Sequence, residues 1–349
     1  MAKTKKDAPD GYQLFKDDLK SGEFRSMYVF YGEEDYLIES CRKALKKKLV
    51  DPVTEDFNYH RFTQENFSIS AFQEAVEALP MMAEHSMVEV TDVNFFGFPE
   101  ADRNAMGEIF GDIPEYCTIL FVFDAVEWKP DKRYKKLYGA MDKVCSQVAM
   151  NRQSERELIP WIRRQLTAGK KVMQDDLIRY LIMQTGGSMT SLAGEINKLI
   201  CFTDQPEITR YDIDHVVIPV LEAAIFDITR DIGNRDFDSA LQKLRDLLRQ
   251  DTEPIVINAV IGRQMRQMYT AKVLSESGKG AYELSQLYGI RDFAARQVYD
   301  QARGYKKQQL RSGCRLSAET DYQMKSSGIS GEALLENLVL QLGQMGGRA

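Results

Sequence analysis

Along the first 150 residues, short apolar runs alternate with amphipathic stretches, the pattern of strands and helices taken in turn. Candidate strands are Met27–Tyr31, Tyr59–Phe62, Ser86–Val90, Thr118–Phe123 and Gln147–Met150. Thr118–Phe123 is apolar almost throughout, the mark of a central parallel strand buried on both faces. Helical periodicity falls between the strands, over Tyr36–Lys48, Ser70–Leu79 and Lys132–Met141. This part of the chain predicts an α/β domain built on a parallel sheet.

After Met150 the strand signals stop. Ser154-Glu-Arg-Glu157 reads as a capping box opening a helix that carries Trp161, Ile162 and Leu166. A second helix, Asp175–Gln184, is closed by Gly186-Gly187, a third runs from Ser188 to Phe202, and Thr209-Arg-Tyr-Asp212 caps a short fourth. From Leu221 onward everything reads helical. Asp236–Gln250 places Phe237, Ala240, Leu241, Leu244, Leu247 and Leu248 on one face, and Pro254 starts a long helix to about Leu274. Four shorter helices follow, with breaks expected near Gly278–Gly280, Gly289, Gly304, Gly313 and Gly328–Gly331. The expected order is an α/β domain over 1–150, a small helical domain over 151–217 and a larger all-helical domain over 218–349.

Composition narrows the class. At 349 residues, 44% hydrophobic and 28% charged, the chain has the make-up of an ordinary globular protein. It contains no apolar run of about 18 residues, so no membrane span is expected. The start, Met1 to Asp10, is charged and lacks an apolar segment, so it reads as a disordered tail rather than a signal peptide. Cys41, Cys117, Cys145, Cys201 and Cys314 show no C-x-x-C spacing, so neither a disulfide framework nor a zinc site is expected, and the compartment is expected to be the cytoplasm. His60, His85 and His215 have no metal-type spacing, and no hydrolase motif is present.

The most telling stretch is Met27-Tyr-Val-Phe-Tyr-Gly-Glu-Glu-Asp-Tyr-Leu-Ile-Glu39, a strand running through Gly32 into a helix. That is where a nucleotide-binding domain places G-x-x-x-x-G-K-[ST]. Counted from Gly32, the second glycine is replaced by Leu37, the lysine by Ile38 and the hydroxyl by Glu39, while Glu33, Glu34 and Asp35 fill the loop with negative charge. Ile119-Leu-Phe-Val-Phe-Asp124 resembles a Walker B strand, but Ala125 and Val126 follow where an ATPase carries a second acid. Both nucleotide motifs stand in the right order and both are broken, so no cofactor is expected. Lys129–Lys136 is lysine-rich and reads as the wet face of a helix.

Two other stretches suggest binding. In Glu77-Ala-Leu-Pro-Met-Met-Ala83 a helix ends at Pro80, and Met81 and Met82 follow before a strand. They form either an exposed plug or part of the core; methionine adapts to irregular pockets. Net charge is −6, yet residues 263–325 hold 12 Lys/Arg against 6 Asp/Glu, which leaves 34 against 46 elsewhere. A basic window on an acidic chain suits a local contact with an anionic partner.

Taken together, Phe30–Glu39, Glu77–Met82, Lys132-Arg-Tyr-Lys-Lys-Leu137, Leu192-Ala-Gly-Glu-Ile-Asn-Lys-Leu199, Ile225-Phe-Asp-Ile-Thr229 and Thr320-Asp-Tyr-Gln-Met-Lys-Ser326 resemble the delta-subunit family of bacterial DNA polymerase III clamp loaders, over about Tyr28 to Leu342. The resemblance implies a RecA-like, AAA+-type domain, a helical lid and a helical collar, with no ATP bound by this chain and no catalysis by it alone. It implies a role in opening the ring-shaped sliding clamp (beta) for loading onto primed DNA, with gamma/tau and delta prime subunits as further partners and no membrane contact. The clamp-binding element falls on Leu79, Pro80, Met81 and Met82; here the pair is Met-Met, where the family often carries Leu-Phe or Phe-Phe. The alternative is an AAA+-like ATPase with a divergent nucleotide site. Primed DNA would meet the basic window, where Phe293, Tyr299, Tyr305 and Tyr322 stand among Arg291, Arg296, Arg303, Lys306, Lys307, Arg311 and Arg315. Phe293 or Tyr322 would stack at a primer end, with Arg303, Lys306 and Lys307 along the backbone; otherwise these rings fill the helical core.

Overall fold

A computed structural model of the chain describes residues 11–345. The expected tail, Met1 to Asp10, lies outside them. The chain divides into two compact units, one running to Gln153 and the other starting at Ser154.

The first unit is α/β. Its strands are β1 (Met27–Tyr31), β2 (Tyr59–Phe62), β3 (Ser86–Thr91), β4 (Cys117–Phe123) and β5 (Cys145–Ala149), and its helices are α1 (Gly11–Ser21), α2 (Asp35–Leu49), α3 (Glu55–Asn58), α4 (Ile69–Glu77), α5 (Glu100–Gly111) and α6 (Lys135–Val144). The sheet is parallel throughout, in the order β2-β3-β4-β1-β5, with Met27 opposite both Ile119 and Cys145. All seven residues of β4 are buried, as expected of a middle strand with helices on both faces. One face packs Phe95, Phe110 and Phe121 edge to face, with Phe72 tilted against Phe121. On the other, Phe15 of α1 packs edge-on to Tyr28 and Phe30. Neither α1 nor α5 was anticipated; α5 has a weak apolar period, whereas α1 places Leu14, Phe15 and Leu19 within a short run that the strand-helix alternation did not include. The lysine-rich segment is not a helix face over its first half. Residues 129–134 form a turn in which Asp131 holds Arg133, and α6 begins only at Lys135.

The second unit is helical: α7 (Glu155–Ala168), α8 (Asp175–Gln184), α9 (Met189–Phe202), α10 (Arg210–Val216), α11 (Leu221–Asn234), α12 (Phe237–Arg249), α13 (Pro254–Glu276), α14 (Ala281–Tyr288), α15 (Asp292–Arg303), α16 (Lys307–Ser326) and α17 (Gly331–Met345). The cap chemistry read from the sequence is in place. The Ser154 amide donates to Glu157 Oε2 at 2.8 Å, the Thr209 amide to Asp212 Oδ2 at 2.7 Å, and Pro254 opens α13. Ile225, Ile228, Leu244, Ile257, Ile261, Met268 and Leu335 centre the C-terminal core. The break expected at Gly313 does not occur, and α16 runs straight through it. A Cβ at Gly313 would lie 3.0 Å from Met265 Sδ and 3.2 Å from Leu342 Cδ2, so this glycine serves close helix packing rather than chain reversal. The expected α/β domain on a parallel sheet and the helical remainder are both present. No described helix is long and apolar enough to cross a membrane.

Gly32, at the end of β1, leaves no room for a side chain. Its φ is +139°, and a Cβ there would sit 2.2 Å from the Met150 carbonyl oxygen. Gly32→Ala is therefore expected to cost about 2–4 kcal/mol, read as a lowered denaturation midpoint; an unchanged midpoint would show that the end of β1 tolerates a side chain.

Candidate functional site

Ligands of open α/β sheets bind beyond the carboxyl ends of the strands, where the strand order reverses. Here that point is the end of β1 beside β4, and the chain has closed it from within. The Glu34 amide donates to the Met150 carbonyl at 3.0 Å, and the Met150 amide to the Tyr31 carbonyl at 2.7 Å, so the loop is stapled to the end of β5. Leu37 and Ile38 are buried in the core, where a phosphate loop would present glycine and lysine. Glu39 lies on α2 and pairs with Arg42 at 2.6 Å and Lys43 at 3.0 Å; partial burial raises its pKa, but these cations outweigh that and hold it below its usual value. Arg42 also reaches the fully buried Glu89 at 3.4 Å, so the helix that would carry the phosphate lysine is instead tied into the sheet.

The segment after β4 is closed in the same way. Asp92, at the end of β3 with φ +58°, points one carboxylate oxygen at three successive amides, those of Asp124, Ala125 and Val126, at 2.9, 3.0 and 3.0 Å. Such a nest of amides is an anion site, and this chain supplies the anion itself. Burial, then the negative charges of Asp35 and Asp92, raise the pKa of Asp124, the residue at the Walker B position. A triphosphate does not fit these residues: the amides are taken, the lysine is absent and the local charge is negative.

The loop after α4 is the opposite case, an apolar segment turned outward. Leu79 is 74% exposed, Met81 52% and Met82 94%; Pro80 between them is half-buried. Of the two placements open to the methionine pair, the structure has the exposed one. The loop is nonetheless tied down. Asn58, fully buried at the end of α3, receives the Met81 amide on Oδ1 at 2.7 Å and donates from Nδ2 to the Met81 carbonyl at 2.9 Å. Its Nδ2 also reaches Thr54 Oγ1 at 2.9 Å. Tyr116 donates its hydroxyl to the Glu77 carbonyl at 2.9 Å, which fixes the end of α4. Next to the tied Met81, Met82 takes φ +53°, a conformation that costs a side-chain-bearing residue about 1–3 kcal/mol and persists only where its surroundings impose it. Asn58 and Asp92 went unnoticed in the sequence, since a single polar residue beside a strand has no periodic signature.

The basic window comes apart into separate places. Tyr305 is core: it is buried, donates its hydroxyl to the Thr229 carbonyl at 2.9 Å, and its phenol is pushed up to about 12 by that burial. The Tyr299 hydroxyl is tied to the Lys279 carbonyl and Phe293 is half-buried at the start of α15, so of these four rings Tyr322, 71% exposed, is the one turned well into water. Arg303, Lys306 and Lys307 gather with Lys272 around an open cavity of about 630 Å³ at the start of α16. There Arg303 pairs with Asp300 at 3.2 Å and Lys307 with Glu276 at 2.5 Å. Tyr322 lies fifteen residues further along the same helix, about 22 Å away. Arg291 packs against Gly187 instead of joining the cluster.

Little else offers chemistry. Burial pushes the Cys41 and Cys145 thiols up to about 12 and the Cys117 thiol to about 11, so none supplies a thiolate at neutral pH. Among the described residues no three His, Cys, Asp or Glu side chains converge as a metal site.

Comparison with known proteins agrees with the geometry. Residues 28–147 match the model of the family "DNA polymerase III, delta subunit", and residues 222–342 that of the "DNA polymerase III delta subunit, C-terminal domain". The chain is 29% identical to DNA polymerase III subunit delta of Bacillus subtilis (strain 168) over 330 residues, 93% of this chain and 94% of the relative. It is 22% identical to a probable DNA polymerase III subunit delta of Aquifex aeolicus (strain VF5) over 274 residues, 76% of each. The solved structure of the Bacillus subtilis DNA clamp loader delta protein superposes with a TM-score of 0.63 at 26% identity, covering 95% of this chain and 99% of that one. The chain belongs to the DNA polymerase III delta-subunit family.

Proposed function

We propose that this chain is the clamp-opening subunit of its loader. It binds the sliding clamp through Leu79, Pro80, Met81 and Met82 and holds one clamp interface open, without binding or hydrolysing ATP. The observation that carries this reading is the outward-facing methionine pair on a loop tied at Glu77 and Met81. Exposed apolar side chains on a flexible loop would lose entropy on binding, whereas a loop already fixed binds at lower cost. A few buried anchors dominate most interfaces, and fully burying one methionine is worth roughly 1.5–3 kcal/mol. ATP on neighbouring gamma/tau subunits would govern presentation of the plug, a coupling between sites on different chains. In this reading residues 1–150 carry the clamp element, 151–217 form a lid, and 218–349 form a collar that packs with gamma/tau and delta prime. The complex works on primed DNA in the cytoplasm, with Arg303, Lys306 and Lys307 near the DNA backbone and Phe293 and Tyr322 as stacking candidates.

Replacing both Met81 and Met82 by Ala is expected to weaken clamp binding by about 2–4 kcal/mol with an unchanged melting temperature. A double variant that binds normally would remove the loop from the interface. For ATP, equilibrium dialysis of the isolated chain should show no saturable binding at physiological concentration; binding abolished by Asp124→Ala would instead favour the ATPase alternative. Reversing the charges of Arg303, Lys306 and Lys307 should lower the affinity of the assembled loader for primed DNA and flatten its salt dependence, with clamp binding by the isolated chain intact. A salt series indistinguishable from the unaltered loader would make this cluster a solvated surface.

A further inference from the structure

The methionine loop is not the only apolar surface in its neighbourhood. Val53 is 89% exposed and Phe57 57% exposed, on the turn leading into α3 and within α3 itself. Exposed side chains of this size need no explanation when scattered. These two are not scattered, because the residue that follows Phe57 is Asn58, whose amide holds the Met81 backbone through both its donor and its acceptor. Adjacent residues lie about 3.8 Å apart at their Cα atoms, so Phe57 stands next to the very side chain that positions the methionine loop. Thr54, following Val53, receives an Asn58 Nδ2 hydrogen bond and caps the turn with its own carbonyl, which takes the amides of Phe57 and Asn58 at 3.1 Å. Two segments distant in sequence are thereby fixed to each other through one buried amide.

Charge on the two segments is one-sided. Residues 51–58 carry Asp51, Glu55 and Asp56, residues 77–84 carry Glu77 and Glu84, and neither stretch contains Lys or Arg. Only Glu55 is neutralised locally, by Lys46 at 2.6 Å. An apolar centre edged by carboxylates suits a partner with an apolar pocket bordered by basic side chains, which steers approach and fixes orientation.

We infer that the turn 51–58 and the loop 78–83 form one recognition surface, in which Val53 and Phe57 meet the same partner as Met81 and Met82 and Asn58 is the positioning residue that joins them. This rests on the clamp-binding reading of the methionine loop and assigns the clamp a second anchor there. It also accounts for the exposed apolar pair on α3 and its approach, which the fold of the unit does not use.

The test uses the full-length chain and the sliding clamp of the same organism, with affinities measured by calorimetry or surface plasmon resonance. Val53→Ser with Phe57→Ser removes mostly exposed apolar surface, so the chain should still fold, as circular dichroism checks, while clamp affinity falls about tenfold or more. Unchanged affinity in this variant, with loss in the Met81/Met82 double variant, would overturn the second anchor and leave the clamp reading standing. If neither variant loses affinity, both fall together. The positioning role is read separately by hydrogen exchange. In the unaltered chain the Met81 amide should be protected although its side chain is exposed, and Asn58→Ala should abolish that protection and speed dissociation of the clamp. An unprotected Met81 amide in the unaltered chain, or an Asn58→Ala variant with a loosened loop and unchanged dissociation, would overturn it.

Discussion

Every strand of a parallel sheet ends in backbone amides that need acceptors, and how those amides are satisfied governs what this molecule can do. In a nucleotide-binding domain the acceptors at these ends are phosphate oxygens. Here they are the chain's own groups. Met150 takes the amide of Glu34, and the Asp92 carboxylate takes those of Asp124, Ala125 and Val126. The ends of these strands are thereby tied to other segments of the sheet domain, and the loop after β1 carries the negative charges of Glu33, Glu34 and Asp35.

The same domain also turns apolar surface outward. The loop after α4 shows how this is stabilised. Leu79, Met81 and Met82 face water, an arrangement that the hydrophobic effect alone opposes, and Met82 holds a left-handed backbone conformation. The opposing terms are local hydrogen bonds. Asn58 is buried and bonds both the amide and the carbonyl of one residue, Met81, much as a neighbouring strand would, and Tyr116 anchors the preceding helix end. Removing the Asn58 amide would leave buried backbone groups unpaired, each worth about 1–3 kcal/mol. The loop is therefore rigid because of what lies under it.

The second unit follows different physics. Its basic excess does not make one patch. Tyr305 has gone into the core with its hydroxyl bonded, Arg303 and Lys307 are partly neutralised by Asp300 and Glu276, and Tyr322 stands a helix length away. Gly313 adds to this picture: it lies within α16 and lets that helix press against Met265 of α13 and Leu342 of α17. Close helix packing, not a chain break, is the use to which that residue is put.

Much of this was legible in the residues. The five strands, the capping boxes at Ser154 and Thr209, the proline start of α13 and the broken phosphate loop are local features, each set by a few neighbours whose propensities and spacing agree. The methionine pair could be located but not oriented, because an apolar pair beside a proline serves a core as well as a surface. Tyr305 and Tyr322 posed the same question and received opposite answers, since burial depends on which helices lie above a residue and not on its neighbours in the chain. Asn58 and Asp92 were invisible for a stronger reason. Their partners lie 23 and more than 30 residues away, and a side chain that completes another segment's backbone hydrogen bonding leaves no period in its own. The sequence by itself determined the strands, most of the helices and the loss of the phosphate-binding residues, because those follow from local pattern. Only the tertiary structure decided which apolar side chains remain in water and what holds them there, because that depends on packing and hydrogen bonds between segments that meet only when the chain is folded.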